Sequence, residues 1–145
     1  MKIMIGNDHA GVEMKKLLTQ QLLEWGHEVI NRGTDSIDSV NYPEFGKEVA
    51  NAVVKEEADL GIIICGTGIG ISIAANKVKG ARAAVCTNEL MADLARRHNN
   101  ANVLALGARI VGDELAIAIT KAFVEGKFEG GRHGTRVDLI ESYRC

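Results

Sequence analysis

Residues 60–70 read LGIIICGTGIG. Leu60–Cys65 is a short, unbroken apolar run rich in β-branched residues. That is the pattern of a strand covered on both faces, as strands of parallel sheets are. The glycines that follow end the strand, and Ile69–Val78 reads as a helix. A strand, a glycine turn and a helix in direct succession open a βαβ unit. The alternation continues in both directions. Toward the N-terminus lie a strand at Lys2–Gly6, a helix at Gly11–Trp25, a short strand at Glu28–Ile30 and a helix at Pro43–Glu56. In the first of these helices Met14, Leu18, Leu22 and Trp25 share one stripe, with Gly26 where a C′ residue belongs. Proline sits near the first turn of the second, where its missing N–H costs nothing. Toward the C-terminus come a strand at Ala81–Cys86 and a helix from an Asn88 N-cap to about Arg97. A strand at Asn102–Leu106, a helix at Asp113–Glu125 closed by Gly126, and a last helix at Arg132–Tyr143 complete the chain. The expected fold is α/β: a doubly wound, Rossmann-like parallel sheet of about five strands with helices on both faces.

Composition narrows the function classes. A length of 145 residues suits a single domain, expected to span 1–145, with a core that needs no disulfide or metal. A net charge of -2 without clustered Lys and Arg argues against an electrostatic binder of nucleic acid. No apolar run reaches the roughly 20 residues of a membrane span. The short apolar start meets Asp8-His9 too early for a secretion signal. Three cysteines without a CxxC make no disulfide framework, so a reduced, cytoplasmic protein is expected.

In open parallel sheets, ligands bind beyond the carboxyl ends of the strands. That rule nominates Asn7–Ala10, Cys65–Gly70 and Cys86–Glu89. The turn at 65–70 has neither the GxGxxG spacing of a dinucleotide site nor a P-loop ending. An arginine six residues past the cysteine, as in a cysteine phosphatase, is also missing, because Ile71 stands there. What remains is a ring of amides at a helix N-terminus, suited to an anion, or simply a tight turn. Cys65 tilts the balance. A thiol at that place favours its thiolate, which serves as nucleophile or general base. The alternative, a small buried hydrophobe, is the reading given to Cys86; Cys145 receives none.

Other candidates are less specific. Asp8 is an N-cap or a ligand group, and His9 a surface residue or a second one. His98 follows Leu90 and Leu94 at helical spacing, which puts it on an inward or partner-facing stripe. His27 is expected at the surface. Arg132 and Arg136 share a helical face that would suit a phosphate, or form a solvated helix. Arg109 is a third cation after a strand. No histidine or cysteine spacing indicates a metal, and no cofactor is expected.

GNDHAG at 6–11, ICGTGIGISIAANK at 64–77, RRHNNANVLALGARIVG at 96–112 and EGGRHGTRV at 129–137 together carry a family resemblance. The chain resembles the type B ribose-5-phosphate isomerases, which share a family with galactose-6-phosphate isomerase. The resemblance implies an aldose–ketose isomerase acting on ribose 5-phosphate and ribulose 5-phosphate. A six-carbon phosphate, or a phosphate-ligand binding module without chemistry, are the alternatives. It implies a homodimer or a dimer of dimers with sites shared between subunits, to which the helix 132–143 contributes. Cys65 is similar to the base that moves a proton between C1 and C2. Thr67 and the amides of Gly66, Gly68, Ile69 and Gly70 would hold the enediolate. Asp8 would bind sugar hydroxyls and Tyr42 would line the pocket. His98 would open the furanose ring, with Asn99 beside it. His9, Arg109, Arg132 and Arg136 would clamp the phosphate. Family members without the cysteine use a glutamate at the position of Ile71; here cysteine is present and that glutamate is not.

Overall fold

The computed structural model describes residues 1–143, so Cys145 lies outside the described residues. Strand β1 (Lys2–Asn7) leads through a 3-10 turn at His9–Gly11 into α1 (Val12–Glu24). The chain continues with β2 (Glu28–Asn31), α2 (Tyr42–Val54), β3 (Leu60–Cys65) and α3 (Ile69–Ala75). Then follow β4 (Ala83–Val85), α4 (Glu89–Asn99), β5 (Val103–Gly107), α5 (Asp113–Glu125) and α6 (Arg132–Ser142). The five strands form one sheet in the order β2-β1-β3-β5-β4, and every pairing is parallel.

Strand side chains alternate between two cores, as the period of two demands. Ile3, Ile5, Leu60, Ile62, Ile64, Leu104 and Leu106 pack against Leu18 and Leu22 of α1, Ala92 and Ala95 of α4, and Phe123 of α5. Met4, Ile63, Cys65, Val103 and Ala105 face Val49 and Val53 of α2 and Ile71 of α3. The central strand β3 is buried throughout, which is why its sequence is an apolar run rather than an alternation. Helices on both faces and a parallel sheet are the architecture its sequence implies.

Two elements are three residues shorter than expected, α3 and β4, and asparagines stand at both. The helix expected to reach Val78 stops at Ala75. Asn76 then turns its side chain to the edge strand: its Nδ2 donates to Ala83 O at 2.9 Å, and its Oδ1 accepts from Ala83 N at 2.8 Å. Asn102 Oδ1 accepts from Arg82 N at 2.8 Å. Asn102 thus takes the amide before the strand, Asn76 covers the free edge at Ala83, and β4 spans three residues rather than Ala81–Cys86.

The strand order also sets which loop adjoins the one after β3. Chain order would set the fourth strand beside the third, but β5 is inserted there and β4 becomes the edge. The loop at Cys86–Glu89 is therefore separated from the end of β3 by β5. The loop after β5, residues 107–110, takes its place: Ala108 N donates to Cys65 O at 2.9 Å, and Arg109 N to Gly66 O at 3.0 Å.

Candidate active site

The chain leaves β1 toward β2 on one side and passes to β3 on the other. The β1/β3 boundary is thus the topological switch point, where open sheets bind ligands. Asp8 N donates to Ile64 O at 3.1 Å, holding the two loops together across that boundary. Asp8 is buried and caps the 3-10 turn, Oδ1 accepting from Ala10 N at 2.9 Å. His9 Nδ1 accepts from Val40 N at 3.2 Å. An amide only donates, so the neutral ring carries its hydrogen on Nε2.

Cys65 ends β3 with 4 % of its surface exposed. Gly68 N donates to its Sγ at 3.2 Å, and Ile69 N donates to Thr67 Oγ1 at 3.2 Å. The amides of the turn are therefore gathered around sulfur and hydroxyl at the head of α3, as an anion seat requires. Gly68 makes this possible. Its φ of 78° is left-handed, and a Cβ there would stand 2.9 Å from Leu106 C. Tyr42, the first residue of α2, lies against Gly70, where a Cβ would meet its hydroxyl at 2.7 Å. Arg109 Nη1 stands over Gly66, 3.2 Å from where a Cβ would be. The structure thus brings together Asp8, His9, Tyr42, Cys65, Gly66, Thr67, Gly68, Ile69, Gly70 and Arg109 at the carboxyl edge of the sheet.

His98, Asn99, Arg132 and Arg136 are not with them. Helix α4 runs back from the carboxyl edge, so its last turn, with His98 and Asn99, reaches the amino edge from which β5 starts. Arg132 and Arg136 lie on α6, which packs against α4. The buried stripe of α4 is Ala92 and Ala95, while Leu90 is 66 % exposed. Of the two orientations expected for Leu90, Leu94 and His98, the inward one therefore fails; this stripe faces away from the chain's own core.

Around His98 stand residues that the spacing search passed over. The His98 and His133 rings stack with centroids 4.0 Å apart and planes within 5°. Glu129 Oε2 lies 3.8 Å from His98 Nε2 and 3.7 Å from His133 Nε2. Glu129 Oε1 accepts from Arg97 Nε at 2.7 Å, and Arg97 also holds Asp93 at 2.8 Å. Hydrogen bonding to Arg97 holds the Glu129 carboxyl below its usual range. Burial, with the charges of His98 and Arg132 alongside, pushes the His133 imidazole below its own. Glu129 and His133 are four residues apart in EGGRH, a spacing visible in the sequence; their approach to His98 needs the α4–α6 contact. Burial pushes Cys86 up to about 11, in keeping with an inert core thiol. Among the described residues, Arg109, Arg132 and Arg136 have no acidic partner.

Fold and site define an open parallel α/β protein with a thiol in an amide-lined turn at its switch point. The sequence profile of the ribose/galactose isomerase family matches residues 3–140, and the chain belongs to that family. It is 50% identical over 139 residues to ribose-5-phosphate isomerase B of Escherichia coli strain K12, covering 96% of this chain and 93% of that one. The solved Clostridium thermocellum ribose-5-phosphate isomerase B superposes with a TM-score of 0.96 at 55% identity, over 97% of this chain and 95% of the other. The Mycoplasma genitalium enzyme with bound ribulose-5-phosphate gives 0.94 at 45%, over 98% and 95%. No helix among the described residues is long and apolar enough to cross a membrane.

Proposed function

We propose that the chain interconverts ribose 5-phosphate and ribulose 5-phosphate in the cytoplasm, with the Cys65 thiolate as the base. The observation that carries this reading is the Gly68 amide aimed at Cys65 Sγ in the turn between β3 and α3. It is supported by the whole-length likeness to ribose-5-phosphate isomerases B. Isomerisation takes a proton from C2 of the open-chain aldose and returns it to C1. The costly species is the enediolate, whose negative charge grows on oxygen. Donors fixed in advance around that oxygen lower the barrier most. Thr67 and the amides of residues 66–70 are those donors. Asp8 orients sugar hydroxyls, and Tyr42 walls the pocket. His9 and Arg109 approach the phosphate from the same chain. Because the phosphate is remote from C1 and C2, its binding energy serves positioning.

His98, with Asn99 beside it, opens the ring, and Arg132 and Arg136 complete the phosphate clamp from a second copy of the chain. The topology supports a shared site, since the two groups of residues lie at opposite edges of one sheet. A two-fold axis sets the carboxyl edge of one sheet beside the amino edge of the other. Thr67 is exposed and Ile69 and Ile73 of α3 are 55% and 56% exposed, so one chain alone leaves the turn open to water. A homodimer, or a pair of dimers, would cover these side chains and dry the site.

The test is a panel of five- and six-carbon aldose phosphates assayed for ketose formation with purified protein and no added metal. Ribose 5-phosphate should turn over fastest, and Cys65→Ala should abolish the reaction. Faster turnover of a six-carbon phosphate would move the assignment to the galactose side of the family. Full activity of Cys65→Ala would remove the thiolate mechanism.

A further inference from the structure

We propose that His98, His133 and Glu129 form a reversible binding site for a zinc-type divalent ion, and that its occupation inhibits the enzyme by capturing His98. The site stands on geometry alone; the inhibition rests on the ring-opening role proposed above.

Among the described residues, this is a cluster of three potential ligands whose donor atoms all lie within 4.8 Å of one another. Zinc takes imidazole nitrogen and carboxylate oxygen at about 2.0–2.2 Å in a tetrahedron, which sets neighbouring donors about 3.3 Å apart. Glu129 Oε2 is already 3.7–3.8 Å from both Nε2 atoms, so the carboxylate has to close on each imidazole by only a few tenths of an ångström, and the larger movement falls to the rings. The two imidazoles must also tilt out of their parallel stack, so that both lone pairs converge on one point.

The surroundings suit a ligand set. Arg97 engages Oε1 of Glu129, and Glu129 N donates to Arg97 O at 3.0 Å. The carboxylate is thus oriented from behind while Oε2 stays available, the outer-shell arrangement that metal carboxylates use. The side chains of His98 and Glu129 are 33% and 40% exposed in one chain, which leaves room for a water as fourth ligand, and in the shared site proposed above the ion enters by the route the substrate takes, while His133 is buried. Two nitrogens and one oxygen favour zinc-like ions over magnesium or calcium, which prefer oxygen shells. Arg97, Arg132 and Arg136 surround the cluster with positive charge, which keeps the ion readily removable.

The chemistry of inhibition is direct. An imidazole whose Nε2 lone pair is bound to metal cannot shuttle a proton at that nitrogen. Isomerisation itself needs no metal, so chelation should preserve or raise activity, and added zinc should lower it.

The test uses the full chain, stripped with chelator and titrated with Zn²⁺ by calorimetry and with Co²⁺ by visible absorption. One ion per chain should bind, with the bands of four-coordinate cobalt and no thiolate charge-transfer band. Cys65→Ala should bind equally well. His133→Ala and Glu129→Gln should each weaken binding by more than the about 10- to 100-fold typical of a lost outer-shell partner. Both should keep ribose 5-phosphate turnover in chelator and lose its inhibition by zinc. Circular dichroism checks that they fold, and paramagnetic shifts of the His98 and His133 ring protons in the cobalt-loaded unmutated protein identify the ligands whether or not they do. A thiolate band, loss of binding in Cys65→Ala, or unchanged binding in both His133→Ala and Glu129→Gln overturns the site. Binding at the cluster without inhibition overturns the inhibitory half, and with it the role given to His98. Absence of isomerase activity with the cluster still binding zinc would overturn the proposed function, and the inhibition with it, and would leave the binding site standing.

Discussion

Ring opening and proton transfer fall on different residues in this reading, and isotope exchange separates them. Only an open-chain aldehyde can lose its C2 proton, and opening a furanose moves a proton from the anomeric hydroxyl toward the ring oxygen. An imidazole suits that step. Cys65 acts afterwards. Cys65→Ala should therefore abolish both isomerisation and solvent exchange. His98→Gln should cripple turnover of ribose 5-phosphate yet retain much more exchange at C1 of ribulose 5-phosphate, which has no furanose ring to open. Deuterium incorporation followed by NMR from each side of the reaction reads the difference. Equal loss of exchange from the ketose side would reassign His98 to enediolate stabilisation. At this scale the sequence was most legible where one turn carries the chemistry. CGTGIG at 65–70 holds thiol, hydroxyl and amides within six consecutive residues. The cluster of Glu129 and His133 with His98 was not legible, because it is assembled by helix packing and no local spacing encodes the approach from α4.

The elements that hold the site in place make two further claims. The ten-residue stretch between β2 and α2, residues 32–41, carries the amide that fixes His9 and leads to Tyr42. It is anchored from α1 by Lys15, a buried cation whose Nζ donates to Thr34 O at 2.7 Å and Asn31 Oδ1 at 3.2 Å and pairs with Asp35. The Lys15 hydrogen bond and charge hold the exposed Asp35 carboxyl below its usual range. A carboxyl with a lowered folded-state pKa binds fewer protons when folded than when unfolded. Its contribution is complete above the usual carboxylate pKa of about 3.9 and disappears as pH falls through the lower folded value. Amide exchange in residues 32–38 should therefore accelerate over that acid range. Lys15→Met should remove this pH step and cost about 1–3 kcal/mol in urea unfolding, because Thr34 O and Asn31 lose their partner. An unchanged pH step in Lys15→Met would show that Asp35 is held by something else. On α6, Arg132→Ala or Arg136→Ala should raise KM and weaken inhibition by inorganic phosphate together, and Lys should rescue only in part because it lacks the planar fork. Normal substrate binding by either variant would return that arginine to the solvated face of the helix. The apolar runs and caps made nearly all of these elements readable in advance. The exceptions were the shortened β4 and α3, where Asn76 follows the helix and turns its side chain onto the free edge of β4, a contact that periodicity cannot see.

The molecule as a whole sets two groups of candidate site residues at opposite edges of one sheet, and the shared site proposed above then decides how mutants must behave together. Strand order was the least legible feature of the fold: placing β5 between β3 and β4 depends on the crossover connections, which no single segment encodes, and it is what brings Arg109 beside Gly66. The direction of α4 follows from the alternation itself, because each helix returns antiparallel to its strand, and it carries His98 away from Cys65 within one chain. If a two-fold axis reunites them, each dimer has two sites, each taking Cys65 from one subunit and His98 from the other. A Cys65→Ala subunit paired with a His98→Ala subunit then has one doubly damaged site and one intact site. Random exchange of equal amounts makes half of the dimers mixed, so activity should recover to about one quarter of the unmutated level from two nearly inactive parents. The measurement is ribose 5-phosphate turnover after subunit exchange, with the mixed dimer isolated through a tag on one parent. Isolated mixed dimers should reach about half of the unmutated activity, one working site in two. If both groups came from the same chain, every site in the mixture would lack one of them. Verified mixed dimers would then be as inactive as their parents, and the shared site would have to be abandoned.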